Sequence, residues 1–325
     1  MAEQVLELSE KRTPKLVIVV PCYNEEPVLS KTFQVLETIL NDLMVNRMVN
    51  DTSRLLFVDD GSKDATWPMI DAEHHQQPLV TGVKLSRNFG HQGALLAGLT
   101  TASQDADLMV TIDADLQDDP HAIIEMVSKS ENADIVYGVR SSRTTDTWFK
   151  RWSAGQFYQV MHALGVEMIP NSADFRLMSK RAVQALLSMP ERNVFLRGMV
   201  PLVGFPSAEV EYARQPRQAG TSKYPLRKML SFAFDGITSF STVPIRLIMN
   251  LGIMIVIIGI GLLVYSLIQQ MMGHVVAGWS SLMISIWVIG GIQLICLSTI
   301  GEYIGKIFSE VKRRPRFIIE TDTYH

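Results

Sequence analysis

Two carboxylates in TIDADLQDDP, at Thr111–Pro120, stand where an apolar run ends, and this spacing is the strongest chemical signal in the chain. Asp113 and Asp115 are two residues apart, so both can converge on one hard cation, and Gln117 adds a neutral oxygen two residues further on. Mg2+ or Mn2+ takes oxygen ligands of this kind and keeps open positions for substrate phosphates. The plainer alternative is a solvated acidic turn. In VDDGSKD, Asp59 and Asp60 accept hydrogen bonds when ionised, which suits ribose hydroxyls or a base N–H. Gly61 permits a tight turn after them, and Ser62 or Asp64 is placed to cap the next helix. The run Pro21-Cys22-Tyr23-Asn24-Glu25-Glu26 offers a ring, an amide and acids, against the simpler reading of a helix start.

Cationic and polar groups recur at the same kind of position. Arg87, Asn88 and His91 flank Gly90 and Gly93 in LSRNFGHQGA, as in a phosphate-facing turn at a helix start, or in a simple cap. Arg140, in YGVRSSR, follows an apolar run and points to the same rim. Arg217, Ser222 and Lys223 lie in the polar loop QPRQAGTSKY, where forked and point-charge cations can hold a lipid phosphate by charge-assisted hydrogen bonds. Attraction to anionic headgroups is the alternative, better represented by Lys312–Arg316. Asp174, in SADFRL, can orient or deprotonate an acceptor; its structural reading is a partner of Arg176 or Arg197.

Five β-branched runs must position these groups: Leu16–Val20, Arg54–Val58, Val80–Lys84, Leu108–Ile112 and Asp134–Gly138. Helix-like stretches alternate with them at Ser30–Leu40, Ala65–Glu73, Gln92–Thr101 and Ala122–Lys129. This alternation predicts strand–helix–strand crossovers and a mostly parallel sheet covered on both faces. In such sheets the ligand crevice lies beyond the carboxyl ends of the strands, where the polar clusters fall. Beyond Arg140 the pattern is mixed, with a helix expected around Trp152–Leu164, a strand near Asp174–Met178 and a helix at Lys180–Ser188.

The 325 residues are 47% apolar, with a mean hydropathy of +0.14 and a net charge of −3. That composition excludes a disordered or collagenous chain and argues against a nucleic-acid binder. Cys22 and Cys296 fit neither a zinc spacing nor a disulfide framework. From Leu247 to Gly301, 55 consecutive residues carry no Asp, Glu, Lys or Arg. A bilayer core takes about 20 apolar residues per helix, so the run predicts two spans, near Leu247–Ile268 and Trp279–Ile300. A buried helical hairpin in a soluble core is the alternative. Arg227, Lys228 and Arg246 precede the first span and Lys306, Lys312, Arg313, Arg314 and Arg316 follow the second, which places both ends in the cytoplasm. No apolar segment near Met1 suggests a signal peptide. The expected organisation is a flexible stretch at 1–14, a cytosolic catalytic domain at 15–224, a juxtamembrane amphipathic or simply packed helix at 225–245, the two spans within 246–301 and a basic cytosolic tail at 302–325.

Read in order, PCYNEE, VDDGSKD, SRNFGHQGA and TIDADLQDDP resemble the family-2 glycosyltransferases with the GT-A nucleotide-sugar-binding fold. SADFRL, the R-x-x-G-x-S-K-Y loop at Arg217–Tyr224, the two apolar segments and GEYIGKIF at Gly301–Phe308 extend the likeness to the polyprenyl-phosphate glycosyltransferases, over roughly Lys15 to Arg316. The resemblance implies an α/β fold: a GT-A, Rossmann-like, mostly parallel sheet domain with a C-terminal two-helix transmembrane hairpin. It implies transfer of a hexose, glucose in the first place, from a UDP-sugar to undecaprenyl or another polyprenyl phosphate, with inversion, Mg2+ or Mn2+ and a cell-envelope destination. Mannose, aminoarabinose and N-acetylhexosamine are the alternative sugars. It assigns Asp113, Asp115 and Asp174 to catalysis. Pro21, Tyr23, Asn24, Glu25, Asp59, Asp60, Arg87, Asp113 and Ala114 go to the nucleotide sugar, and Asp115 and Gln117 to the metal. Arg140, Arg217, Ser222 and Lys223 go to donor and acceptor phosphates. Some relatives are tetramers, so a homo-tetramer is the implied assembly. A processive polysaccharide synthase fits less well, because Trp148 stands where the Q-x-x-R-W motif needs Gln before Arg151-Trp152. A non-catalytic sugar-nucleotide sensor is disfavoured by the intact acidic motif and phosphate loop.

Overall fold

Leu16–Cys22 (LVIVVPC) is buried along its whole length and forms β1, inside the sheet. Its β-branched residues favour extended backbone, and the absence of alternation reflects cover on both faces. The computed structural model describes residues 13–141, 169, 172–192, 194–213, 243–272 and 278–325. The chain divides into one unit of Met1–Tyr158, Glu167–Lys223 and Arg314–His325, and a second of Gln159–Val166 and Tyr224–Arg313.

In the first unit, β1 is followed by α1 (Glu26–Val45), β2 (Arg54–Asp59), α2 (Thr66–Gln76), β3 (Val80–Leu85), α3 (His91–Ala102), β4 (Leu108–Thr111), α4 (Ala122–Lys129) and β5 (Ile135–Arg140). Then come β6 (Ser172–Ser179), α5 (Lys180–Ser188), α6 (Leu196–Leu202) and β7 (Ser207–Tyr212), with β8 (Ile319–Asp322) near the C-terminus. The strands form one sheet in the order β7-β5-β6-β4-β1-β2-β3-β8. All five expected strands are present. Beside β1, β2 lies on one side and β4 on the other, so the topological switch point and its crevice fall where the clusters after β1 and β4 meet.

Packing follows the apolar periodicity. Helix α1 buries Leu29, Phe33, Leu36, Ile39, Leu40 and Leu43, spaced three or four apart on one stripe. Phe33 meets Phe57 of β2 edge-to-face, ring centres 4.7 Å apart; each such buried ring contributes about 1.5–3 kcal/mol. Helix α3 is buried on nearly every side, and a Cβ at Gly98 would stand 2.3 Å from Val19 Cγ1, so glycine is what lets this helix lie on β1.

Two expectations need refinement. The sheet is mostly parallel, as expected, but mixed: β6 runs antiparallel to both β4 and β5, and β8 antiparallel to β3. Strand direction depends on how long connections return, which local hydropathy does not encode. The stretch 302–325 is not one basic tail. Its first part continues the last helix to Lys312, Arg313 turns the chain in the left-handed region (φ 47°), and β8 joins the sheet edge.

The second unit holds two long helices, α7 (Val243–Met271) and α8 (Trp279–Lys312), which contain both expected spans. Large apolar side chains stand exposed along both: Ile253, Ile257, Ile260 and Tyr265 on α7, and Leu282, Leu294 and Leu297 on α8, each more than half exposed. Among the described residues no helix is long and apolar enough to cross a membrane; several side chains of both helices lie outside that set. The expected helix at 152–164 and the expected helix at 225–245 as far as residue 242 fall outside the described residues, while 243–245 belong to α7.

Candidate active site

The turns after β1 and β2 are tied to each other. Asn24 sits at φ 54°; its backbone N–H donates to Ser62 Oγ at 3.0 Å, and its Oδ1 accepts the Lys63 amide at 2.8 Å. The Glu25 amide donates to Thr66 Oγ1 at 2.9 Å, and Glu26 Oε2 accepts the Ala65 amide at 3.1 Å. Asn24 thus braces the rim through backbone and side chain, Glu25 through its backbone, and Glu26 opens α1. Pro21 is buried within β1 in register with Val58, while Tyr23 is 38% exposed.

Asp59 and Asp60 are both buried, but the strand's alternation sends them to different tasks. Both oxygens of Asp60 accept backbone amides, Oδ1 from Phe89 at 2.7 Å and Oδ2 from Gly90 at 2.9 Å. It fixes the turn that starts α3. Asp59 Oδ1 accepts the Ser62 amide at 3.2 Å, whereas its Oδ2 is buried with no partner. Burial pushes both carboxyl groups up. Gly61 between these turns has φ +65°, and a Cβ there would stand 2.6 Å from the Arg87 carbonyl carbon. No other residue meets both conditions without strain. The Arg87 guanidinium lies over the Phe89 ring, 3.9 Å from its centre.

The acidic loop after β4 is held from below by Thr32, whose hydroxyl donates to the Ala114 carbonyl at 2.7 Å. Leu116 adopts φ 50°, which folds Gln117 back: its amide and carboxamide nitrogens donate to Asp115 Oδ1 and Oδ2 at 3.2 and 2.9 Å. Asp115 and Gln117 therefore form one cluster of oxygen-bearing side chains. Asp118 is buried beside them and accepts from Arg140 Nε at 3.2 Å, Arg140 Nη2 at 3.1 Å and the Tyr212 hydroxyl at 2.7 Å.

His91, at the start of α3, places Nε2 3.6 Å from Asp113 Oδ1 and 3.6 Å from Asp174 Oδ2. Asp174 also accepts Arg176 Nη2 at 2.6 Å and Arg197 Nε and Nη2 at 3.3 and 3.2 Å. Burial alone would raise the Asp174 carboxyl, but Arg197, His91 and Arg176 overcome it and hold the group well below the usual carboxylate range. Burial likewise opposes the charge on His91, and the facing Asp174 and Asp113 outweigh it, so its proton is held more tightly than usual. Asp113 is different: crowding by surrounding protein atoms pushes it up to about 6, with Asp174, Asp118 and Asp115 acting in the same sense against His91. A carboxyl held as firmly ionised as Asp174 is a poor proton acceptor near neutrality, so the arginine-partner reading describes its surroundings better than a base does.

The family model for glycosyl transferase family 2 matches residues 17–187, the segment that builds every part of this crevice except Arg197, Tyr212 and β8. The chain belongs to glycosyl transferase family 2. Similar proteins extend beyond that segment. The glycosyltransferase YkoT of Bacillus subtilis strain 168, itself named as uncharacterized, is 53% identical over 313 residues, 96% of this chain and 93% of its own. The bactoprenol glucosyl transferase of Shigella phage SfII is 40% identical over 312 residues, 94% of this chain and 97% of its own. Among solved structures, glucosyl-3-phosphoglycerate synthase of Mycobacterium tuberculosis, with Mn2+, UDP and phosphoglyceric acid, superposes with a TM-score of 0.47 at 16% identity, over 69% of this chain and 76% of its own.

In this glycosyltransferase the strand ends gather Tyr23, Asp59, Asp113, Asp115, Gln117 and Arg140 at one sheet rim, with Asp174 bridged to Asp113 through His91. Pro21, Asp60 and Ala114 are buried beneath that rim, and Asn24 and Glu25 tie its turns to the loop after β2. Arg217, Ser222 and Lys223 lie outside the described residues. Asp118 and Tyr212 are not among the residues expected at the site: Asp118 sits within TIDADLQDDP, where the motif gives it no separate role, and Tyr212 carries no local signal because its partner is 94 residues away.

Proposed function

We propose that this glycosyltransferase moves a hexose, glucose in the first place, from a UDP-sugar to the phosphate of undecaprenol or a related polyprenol at the cytoplasmic face of a membrane. The observation that carries the reading is the 40% identity to a bactoprenol glucosyl transferase over nearly the full length of both chains, apolar helices included. The exposed apolar side chains of α7 and α8 and the uncharged run from Leu247 to Gly301 support a transmembrane hairpin.

Asp59 is suited to the nucleoside: its buried, unpartnered Oδ2 is a ready acceptor for a ribose hydroxyl or base N–H. Asp115 and Gln117 fit a divalent cation, Mg2+ or Mn2+. Asp115 carries hard carboxylate oxygens, and the Gln117 carboxamide bonded to it adds a neutral oxygen beside them. That donor set suits an ion completed by diphosphate oxygens and water. A cation held there supplies positive charge against the diphosphate. Arg140, fixed by Asp118, adds a guanidinium at the same rim, where charge develops on the departing UDP. The bond from the anomeric carbon to the UDP oxygen breaks, its electron pair leaving with UDP, as a bond to an acceptor phosphate oxygen forms on the opposite face; inversion follows. A phosphate monoester has its second pKa near 6, so the acceptor arrives as an anion and needs no strong base. An Asp174 kept ionised by two arginines suits that demand: with His91 it orients Asp113. Arg217, Ser222 and Lys223 are the proposed acceptor-phosphate ligands, and a homo-tetramer is the proposed assembly.

Full-length protein purified in detergent, given labelled UDP-glucose and undecaprenyl phosphate, is expected to form a chloroform-soluble sugar product with Mg2+ or Mn2+ and none with EDTA. Asp115→Ala is expected to abolish transfer at an unchanged melting temperature. Product formation from a different UDP-sugar alone would change the donor. Absence of lipid product with every donor would overturn the reading, and near-normal turnover of Asp115→Ala would overturn the metal assignment.

A further inference from the structure

Tyr212 ends β7, at the outer edge of the sheet and beyond the segment that defines the family, yet its hydroxyl reaches into the acidic loop. The ring is buried and packs edge-to-face on Phe175, the neighbour of Asp174, with centres 5.3 Å apart. The hydroxyl donates to Asp118 Oδ1 at 2.7 Å, the same oxygen that receives two bonds from Arg140. Arg140 and Tyr212 are register partners in the parallel β5–β7 pair, and the Tyr212 carbonyl accepts both the amide and the hydroxyl of Ser141, at 2.8 and 3.0 Å. One residue thus fixes the chain leaving β5 through its backbone and the side chain ending β5 through its phenol.

A buried carboxylate shared by a guanidinium and a phenol has little freedom. Without the hydroxyl, Arg140 alone among the described residues bonds that oxygen of Asp118, and the carboxylate and guanidinium can move together. With the hydroxyl in place, Asp118 stays within the wall and Arg140, a quarter exposed, is presented at the rim. We propose that Tyr212 is a positioning residue for transfer: through Asp118 it sets the direction of the Arg140 guanidinium toward the donor diphosphate. This inference rests on the proposed use of Arg140 toward that diphosphate.

The test is a double-mutant cycle on the full-length protein, read by UDP affinity in calorimetry with Mg2+ present and by the rate of glucose transfer. Tyr212→Phe keeps the ring on Phe175 and removes one hydroxyl bonded to a charged group. It is expected to weaken UDP binding and lower kcat by about tenfold, with the KM for the lipid unchanged. On an Arg140→Ala background the same change is expected to have no further effect on either reading. Asp118→Asn, which keeps the shape of the carboxylate, is expected to reproduce the Tyr212→Phe phenotype. Losses that add to those of Arg140→Ala, or that follow only a fall in melting temperature, would reduce Tyr212 to packing and overturn the proposal; so would a Tyr212→Phe protein with wild-type UDP affinity. UDP binding that shows the expected coupling in a protein that transfers no glucose would leave this inference standing and overturn only the proposed reaction.

Discussion

A carboxyl pushed up to about 6, as Asp113 is by the crowding around it, keeps its proton over an interval in which the unfolded chain has already lost it. An unfolded aspartate titrates near 3.9, so between about 4 and 6 the folded protein binds the extra proton. Stability then falls as pH rises through that window, the opposite of the usual aspartate. Asp113→Asn resembles the protonated acid in shape. In EDTA, its melting temperature is expected to exceed that of the wild type at pH 7.5, with the gap closing as pH falls toward 4; a gap independent of pH would refute the assignment. Asp174 has the ordinary sign, carried further. Its carboxyl is held below the usual range by Arg197, His91 and Arg176, so its contribution is present at neutral pH and is lost only under strongly acid conditions. Neighbouring carboxylates are thereby given distinct states, one firmly charged and one poised.

The turn between β3 and α3 is gripped from two sides. Asp60 holds the Phe89 and Gly90 amides, while the Ile318 carbonyl, just ahead of β8, accepts the Ser86 amide at 3.0 Å. Beyond β8, the Thr323 hydroxyl accepts the Gly82 amide at 2.8 Å and Thr323 donates its own amide to the Gly82 carbonyl at 2.9 Å. Lys84 pairs with Glu320, and the Tyr324 hydroxyl bonds Asp105. An edge strand of four exposed residues is therefore fastened by side chains as well as by its ladder. A chain ending at Pro315 is expected to show faster amide exchange at Gly82 and Ser86, with Leu55 and Phe57 unchanged, because the latter belong to the interior pairs β1–β2 and β2–β3. Unaltered exchange at Gly82 and Ser86 would show that β8 adds nothing to the edge.

Across the whole molecule, the chain leaves the catalytic unit after Lys223, forms the apolar helices, and returns to the same unit at Arg314 to add the last sheet strand. Both ends of the helical unit are thus joined covalently to one catalytic unit. Exposed Ile, Leu and Met side chains along α7 and α8 would cost water about 25 cal/mol for each Å² of apolar surface, and a bilayer removes that cost. The full-length protein is expected to sediment with membranes, to stay there through high salt and to require detergent for extraction. Recovery in the soluble fraction without detergent would exclude the transmembrane hairpin and favour a buried one.

Local signals carried much of this in the sequence. The β-branched runs, the apolar spacing of α1 and the bounds of α5 at Lys180–Ser188 depend on neighbours a few residues apart, and each is visible without a fold. The 55 uncharged residues from Leu247 to Gly301 have the same local origin. Tertiary structure alone decided what depends on distant partners. Asp59 and Asp60 are adjacent and chemically identical, yet one carboxylate is closed by the Phe89 and Gly90 amides and the other keeps an unpartnered oxygen. Asp174 became an anion between arginines because β6 inserts beside β4 and α6 brings Arg197 to it. The reversed direction of β6, the return of β8 to the β3 edge and the reach of Tyr212 to Asp118 arise from chain segments meeting across the sheet. Hydrogen-bond partners at that separation leave no periodicity in the sequence, since composition and spacing report a residue's neighbours along the chain and not those that folding brings beside it.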